Sequence, residues 1–498
     1  MDLAAFSSHL MPVNSASKPY FLMVWFIATV LRRWFPISVS RLYGKAQKNG
    51  IYVNKQPNII LLVLDTLRSD FTVDPDKGIP LLKSIKDNSE EWNIFNNCVS
   101  PASWTIPAHA SLFSGVYPSR NGVIEGTDGS IPDYSFLYDH YQGDTLPAYM
   151  KGAGYKTYSF CQNGLVGKDT SFMRGVDLQI YSENEFQATY DRMHKSLNVI
   201  YDNWGGDSAR KALKKSFQNH NTLSLLKEYY NLKSTTIKLK NLNMEKKGGR
   251  EVIKNLQNIK IEEPFFMFTN LMETHDPHDE FSLGIGWQDT VFGNNAGYAK
   301  KVNGLIESYS SAVDEVDFFL SNLFSLLKKL KLYEDTMIII TSDHGQSLFD
   351  DGYFGHCNFL YDSIIRVPLL IKLPQGRRLD IQQGYQSLTG IFDFIKTGLE
   401  NNNFYDNISK ELVFSECNGF YDPIVKKYRN TVNFREIYEK YNIPTKAIFK
   451  DGYKLTFDFK NHKITELKKG KIKVDPNEIP KICDSLLEDL SIFANVDF

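Results

Sequence analysis

Two stretches of the chain, "NIILLVLD" at residues 58–65 and "TMIIITSD" at 336–343, are nearly continuous apolar runs that close on an aspartate. A half-exposed strand alternates apolar and polar residues. Runs without that alternation fit strands covered on both faces, as in a parallel sheet flanked by helices. Asp65 and Asp343 then fall at the C-terminal ends of buried strands, the edge where α/β sheets gather functional groups. Residues 263–281, "EPFFMFTNLMETHDPHDEF", repeat the pattern and place His275 just past a strand. Ahead of the second run, Val313, Val316, Leu320, Leu323, Leu327 and Leu330 recur at three- and four-residue spacings, as on one face of a helix. Helix, short turn, buried strand and polar tip give an α/β fold class.

The rhythm changes twice. Residues of about 185–255 are rich in Lys and Asn and read as a helical insertion over one edge of the core. Past residue 400, "ELVFSEC" and "KAIFKDGYKLTFDFKNHKITEL" read as strands, the latter two joined by a hairpin turn, and predict a small antiparallel C-terminal subdomain. Residues 1–50 form an apolar and basic N-terminal segment, 51–400 the main α/β unit that contains the insertion, and 401–498 the C-terminal α+β subdomain.

A net charge of -1 over 498 residues argues against a protein built around nucleic acid, so no nucleic acid partner is expected. The balance is uneven, however: residues 210–260 carry thirteen Lys and Arg against three Glu, a candidate surface for anionic partners. In "YFLMVWFIATVL", residues 20–31, twelve helical residues would reach only about 18 Å of the roughly 30 Å that a bilayer core requires. The flanks show no cleavable signal peptide. Two readings stay open for this segment, a buried helix or an interfacial anchor with Trp25, Arg32 and Arg33 at the headgroups. Five scattered cysteines without C-x-x-C spacing point to neither a disulfide framework nor a zinc knuckle, and fit a reducing compartment. The expected location is cytoplasmic or peripheral on a membrane.

Asp65, Asp343 and His344 together make a first shell for a divalent metal that lacks one ligand. Thr105, in "SWTIPAHASLFSG", can supply it. Pro107 suits the first turn of a helix, so Thr105 sits near an N-cap, where it either caps the helix or presents its hydroxyl beside the oxyanion-binding helix end. The stretch alone does not decide between the two.

The segments "VLDTLRSDF", "SWTIPAHASLFSGVYPSRNGV", "TSDHGQSLFDDGYFGHCNFLYDSIIRVPLLIK" and "KDGYKLTFD", in this order and spacing, resemble the sulfatase family of the alkaline phosphatase superfamily over roughly residues 57–460. The resemblance implies an alkaline-phosphatase-like α/β/α sandwich with a large, mostly parallel central sheet, and residues 51–400 as its catalytic domain. It also implies that Asp65, Asp343 and His344 are metal ligands and Thr105 a nucleophile that touches the metal. His275 falls where the family has a histidine on the transferred group or leaving oxygen. His356 falls where many sulfatases place a lysine on the substrate oxyanion, and His109 where they have an arginine. Sulfatases carry a cysteine or serine at position 105 that is converted to formylglycine. Threonine would give a ketone rather than an aldehyde. Thr is instead the nucleophile in phosphoryl-transferring branches, which lipoteichoic acid synthases and phosphoethanolamine transferases represent. Thr66 stands where many sulfatases have a second aspartate, and the lone D-x-x-x-H, Asp458 to His462, lies in a hairpin turn. One metal ion is therefore expected.

These readings combine into a metal-dependent enzyme that attacks a phosphodiester or substituted phosphate ester, glycan- or lipid-linked, through a Thr105 alkoxide. His275 protonates the leaving group, while His356 and His109 stabilise equatorial oxygens. Mn²⁺ or Zn²⁺ suits a shell of one imidazole and oxygen donors better than Ca²⁺ or Mg²⁺, although both of those are compatible with it. The expected partner is an anionic glycan or lipid-linked phosphate, with peripheral membrane contact. Two alternatives are a sulfuric ester hydrolase without formylglycine and a catalytically silent glycan- or lipid-binding protein. Cys98 and Cys357 read as packing residues, Arg366 as an ion-pair partner, His278 as a solvated loop residue and Trp104 as a pocket wall or a packing residue.

Overall fold

A computed structural model describes residues 51–52, 56–124, 143–167, 173–181, 185–204, 209–242, 247–278, 290–291, 302–419 and 433–496. The apolar segment at 20–31 lies outside the described residues. Seven strands form the central sheet: β1 (Asn58–Leu64), β2 (Asn93–Phe95), β3 (Lys156–Cys161), β4 (Leu178–Tyr181), β5 (Phe265–Leu271), β6 (Thr336–Thr341) and β7 (Leu369–Lys372). Their spatial order is β2-β7-β6-β1-β5-β3-β4, and β7 alone runs against its neighbours. The sheet is thus mixed but mostly parallel. In register, Leu62 of β1 lies between Thr269 of β5 and Ile340 of β6, so the three strands end side by side.

The unbroken apolar runs exist because both faces of the sheet are covered. Ile59, Leu61 and Val63 point into one core with Ile106, Leu112 and Phe113 of helix α1 (Thr105–Ser114) and with Ile391 and Ile395. Ile60, Leu62 and Leu64 point into the other, against Val252 and Leu256 and against the apolar face of a 28-residue helix that carries Val316, Leu320 and Leu323. Alternate residues of one strand feed two cores, which is why period-two patterning is absent.

Helices α2 (Glu185–Trp204), α3 (Ala209–Gln218) and α4 (Thr222–Lys240) follow the edge strand β4 and pack on one another through Met193, Ile200, Trp204, Ala212, Leu225 and Leu239. The next helix, α5 (Gly249–Asn258), packs on the main sheet instead, so the end of the expected insertion belongs to the core layer. The 28-residue helix, α6, spans Val302–Lys329.

The C-terminal sheet comprises β8 (Leu412–Cys417), β9 (Thr445–Lys450), β10 (Tyr453–Asp458), β11 (Lys463–Lys469) and β12 (Ile472–Lys473), all antiparallel in sequence order, with helix α7 (Pro480–Ala494) against it. Asp458 ties the hairpin turn by accepting the N–H groups of Lys460 and Asn461, a structural role. Strand β8 also reaches the main unit, where the Glu416 N–H donates to Pro101 O, four residues before Thr105. Among the described residues no helix is long and apolar enough to cross a membrane.

Candidate active site

The C-terminal ends of β1, β5 and β6 bring the predicted residues together. Asp65 follows β1 and its N–H donates to Leu271 O at the end of β5. Thr66 then takes a left-handed backbone conformation (φ 62°), costly for a β-branched residue. Three hydrogen bonds hold it there: its N–H donates to Asp343 Oδ1 at 3.3 Å, and its hydroxyl donates to Asp65 O and Thr274 O. The residue that departs from the second aspartate of many sulfatases is therefore a joint between the three strand ends.

Asp65, Asp343 and His344 are fully buried and offer ligand atoms within 4.8 Å of one another. His344 Nδ1 donates to Gly345 O at 2.9 Å, and Nε2 is the ring nitrogen turned toward the carboxylates. That nitrogen lies 3.3 Å from Thr105 Oγ1, 3.4 Å from Asp343 Oδ2 and 3.9 Å from Asp65 Oδ1. Neither of those two carboxylate oxygens receives a hydrogen bond. Acceptors that converge in a buried place without donors require a cation, so these residues fit a divalent metal, with a backbone carbonyl fixing the tautomer of the histidine ligand.

The two carboxylates differ in their surroundings. Burial pushes Asp65 up, as does the charge of Asp343, against the opposing pull of His275, His344 and the Asn163 amide that donates to Oδ2 at 2.9 Å. Asp343 is equally buried, but His344, His109 and the N–H groups of His344 and Thr66 outweigh burial and hold it below the usual carboxylate range.

Thr105 is the first residue of α1, and the N-cap is Trp104, whose side chain makes no capping bond. Of the two alternatives left open for Thr105, capping the helix is not the one observed: its hydroxyl faces His344. The first intrahelical bond is Ala108 N–H to Trp104 O, and Pro107 has no N–H, so the amides of Thr105 and Ile106 stand at an oxyanion-binding helix end.

His109 is not placed to meet substrate. It is wholly buried one turn behind Thr105, with Nδ1 at 2.9 Å from Thr105 O and 3.4 Å from Asp343 Oδ2, and Nε2 at 3.4 Å from Asn270 Nδ2. Its expected contact with equatorial oxygens gives way to positioning of the Thr105 turn and Asp343. His356 also differs from expectation. Its Nδ1 donates to Gln346 Oε1 at 2.7 Å, and burial, with His344 and His275 nearby, keeps its pKa well below the usual histidine range. A neutral ring with an unprotonated Nε2 accepts a proton rather than stabilising an oxyanion. The turn that carries it docks on the loop ahead of Thr105, since Cys357 N–H donates to Ser103 O at 3.0 Å and Ser103 Oγ donates to Cys357 O at 2.6 Å.

His275 lies on the other side, its ring 5.2 Å from that of His356. Nδ1 donates to Asp276 O at 2.7 Å. Burial disfavours its charged form, but the Asp276 and Asp65 carboxylates overcome this and raise its pKa. Among the described residues, His275, Asp276 and His356 form a second group with ligand atoms within 4.8 Å, beside the single metal shell that the sequence suggests.

Several residues of the site escaped the sequence reading. Asn163 and Gln346 each fix a predicted residue; both sit just past strand ends, which is the one signal that could have found them. Lys247 is fully buried and donates to the carbonyls of Glu273 and His275, although in sequence it belongs to a surface charge run. His278 is buried against Tyr309, ring centroids 5.1 Å apart, rather than solvated, and burial pushes its pKa well down. Arg366 lies 4.0 Å from Asp362 and stacks its guanidinium over Phe449 of the C-terminal sheet at 4.5 Å. Trp104 and all five cysteines are buried.

Residues 57–400 match the model of the sulfatase family. The chain belongs to that family. It is 20% identical over 394 residues to arylsulfatase K of Mus musculus, covering 72% of this chain and 62% of that protein. Against N-acetylgalactosamine-6-sulfatase of Canis lupus familiaris it is 24% identical over 324 residues, covering 61% and 52%. The chain thus spans less than two thirds of the length of these curated relatives. Among solved structures, the phosphonate monoester hydrolase of Agrobacterium radiobacter superposes with a TM-score of 0.57 at 14% identity, covering 88% of this chain and 95% of that one. A 2-O GAG sulfatase superposes with a TM-score of 0.55 at 13% identity, covering 89% and 92%. These structural likenesses establish the alkaline-phosphatase-like fold expected from the motifs.

Proposed function

We propose that this sulfatase-family chain cleaves a phosphodiester or substituted phosphate ester, glycan- or lipid-linked, with Thr105 as the nucleophile. The observation that carries the reading is the Thr105 hydroxyl, at the first residue of a helix and 3.3 Å from His344 Nε2, beside two carboxylate oxygens that lack donors. A divalent cation held by Asp65, Asp343, His344 and Thr105 would offset the two carboxylates and make the hydroxyl a stronger acid, so that its proton passes to solvent before substrate binds and the alkoxide is left to attack. The helix end orients the oxygens of a tetrahedral group so that Thr105 Oγ1 lies on its axis. As the new O–P bond forms, the bond to the leaving group breaks and His275 gives that oxygen a proton, leaving a phosphothreonine. His356, held neutral, takes the proton from the water or acceptor hydroxyl that then displaces Thr105. Two imidazoles whose surroundings move them in opposite directions suit this division into acid and base.

The names of the curated relatives favour a second reading, hydrolysis of a sulfate ester. Formylglycine cannot form from threonine, so this second reading also rests on the Thr105 hydroxyl, and the two part at the atom it attacks, phosphorus or sulfur.

The test compares the purified chain, loaded with Mn²⁺ or Zn²⁺, with its Thr105→Ala variant on aryl phosphodiester, phosphonate and sulfate esters. The expected result is turnover of the phosphorus esters, a loss of at least ~10³-fold in the variant, and a phosphoryl adduct on the Thr105 peptide of the parent. Near-parental rates in the variant remove the nucleophile assignment. Thr105-dependent turnover of the sulfate alone selects the second reading.

A further inference from the structure

Helix α4 carries two apolar stripes, and its own fold uses only one. Leu225, Leu232 and Leu239 turn inward onto α2 and α3, among Met193, Ile200, Trp204 and Ala212. Leu223, Leu226, Tyr230 and Ile237, at spacings of three, four and seven, lie on the opposite face and are exposed, Leu223 by 85% and Tyr230 by 73%. Phe217 of α3, six residues before Leu223, is also exposed, by 67%. Large apolar side chains this exposed are costly in water unless another surface covers them.

The setting of the patch indicates its occupant. Lys227 and Lys233 flank the stripe on opposite sides, and Lys214 and Lys215 of α3 are exposed nearby in sequence. Residues 209–240 contain eight Lys and Arg against one Glu. Two such faces would repel each other, which disfavours a second copy of the chain. An apolar stripe edged with lysines matches a bilayer whose headgroups are anionic: apolar side chains enter the acyl boundary while ammonium groups stay among the phosphates.

We propose that the α3–α4 face docks the protein peripherally on a membrane rich in anionic lipid. This surface is separate from the chemistry at Thr105 and stands without it.

Cosedimentation of the full chain with phosphatidylcholine vesicles, and with vesicles of phosphatidylcholine and phosphatidylglycerol, tests the proposal. The parent should pellet with the anionic vesicles at low salt and be released by high salt. A Leu223→Ser/Leu226→Ser/Tyr230→Ser variant should lose binding. A Lys214→Gln/Lys215→Gln/Lys227→Gln/Lys233→Gln variant should bind more weakly by about fivefold per lysine. An unchanged thermal midpoint in both verifies their fold, since all seven positions are on the surface. No binding of the parent to anionic vesicles overturns the proposal. So does binding that survives in both variants, as it would if residues 20–31 carried it, or a dimer that the serine variant abolishes without any vesicle binding by the parent.

Discussion

Asp65 and Asp343 end neighbouring parallel strands, follow nearly identical apolar runs and are equally buried, yet they are opposite electrostatic objects. Asp343 is a settled anion, because two backbone N–H groups and two imidazoles surround it. Asp65 has one amide donor and faces another carboxylate, so its charge lacks compensation. The same strand pattern therefore delivers two buried carboxylates whose surroundings move them in opposite directions. What differs is the turn after the strand: the left-handed Thr66 sends its N–H to Asp343 rather than to Asp65.

The sharpest way to break this comparison is to remove each charge in turn. Asp65→Asn and Asp343→Asn should both abolish retention of a divalent metal through dialysis, read as metal content per chain. Their metal-free forms should diverge. Asp65→Asn removes an uncompensated charge and should unfold at or above the parental temperature. Asp343→Asn disturbs the Oδ1 acceptor of the Thr66 and His344 N–H groups and should cost about 1–3 kcal/mol. Equal shifts in both variants would show the two tips to be equivalent.

The third tip, at the end of β5, sharpens the contrast, since the task we propose for His275 there is to hold a proton rather than a cation. His275→Gln should depend on the leaving group. With an alkyl leaving group, which needs a proton, the rate should fall by about 10²–10⁴-fold; with p-nitrophenolate, which does not, by far less. Because the folded environment raises the pKa of His275, parental activity on alkyl esters should decline as pH rises through that pKa, and the variant should lack this limb. A uniform loss on both esters would assign His275 to binding instead.

Most of this site was legible because strand ends are visible in sequence. Unbroken apolar runs require a sheet with two covers, and the first polar residue after each run, Asp65 or Asp343, must sit at its edge. What stayed hidden depended on rotation and on burial of charge. Nothing in "HASLFSG" tells whether His109 turns toward substrate or back toward Asp343, because a shift of four residues on a helix returns to the same face. Lys247 reads as one more surface lysine in a basic run; only the path of the chain from the insertion into α5 shows that it is buried beneath His275. The direction of His356 was hidden for a similar reason, since Gln346, ten residues earlier, decides which ring nitrogen keeps its proton.

The smallest effect probes the same β5 tip through Glu273. Its carboxylate is buried, Oε1 accepts the Gly249 N–H at 2.7 Å, and Oε2 has no partner. Burial pushes its pKa from 4.5 up to about 7, against the Gly249 N–H and the Lys247 ammonium. A raised pKa in the fold means that the folded chain holds the proton more tightly than the unfolded chain does. The stabilisation is full below about pH 4.5 and is lost as pH rises through about 7. Glu273→Gln keeps an acceptor for Gly249 but cannot ionise. The difference in stability between variant and parent should be near zero at the acid end and should grow to about 3 kcal/mol in favour of the variant by the alkaline end. Unfolding midpoints of both proteins across that range, compared at each pH, cancel the contributions of all other groups. A flat difference would mean that Glu273 titrates alike in the folded and unfolded chain, with Lys247 and the Gly249 N–H offsetting its burial, and the contrast between the strand tips would then be confined to Asp65.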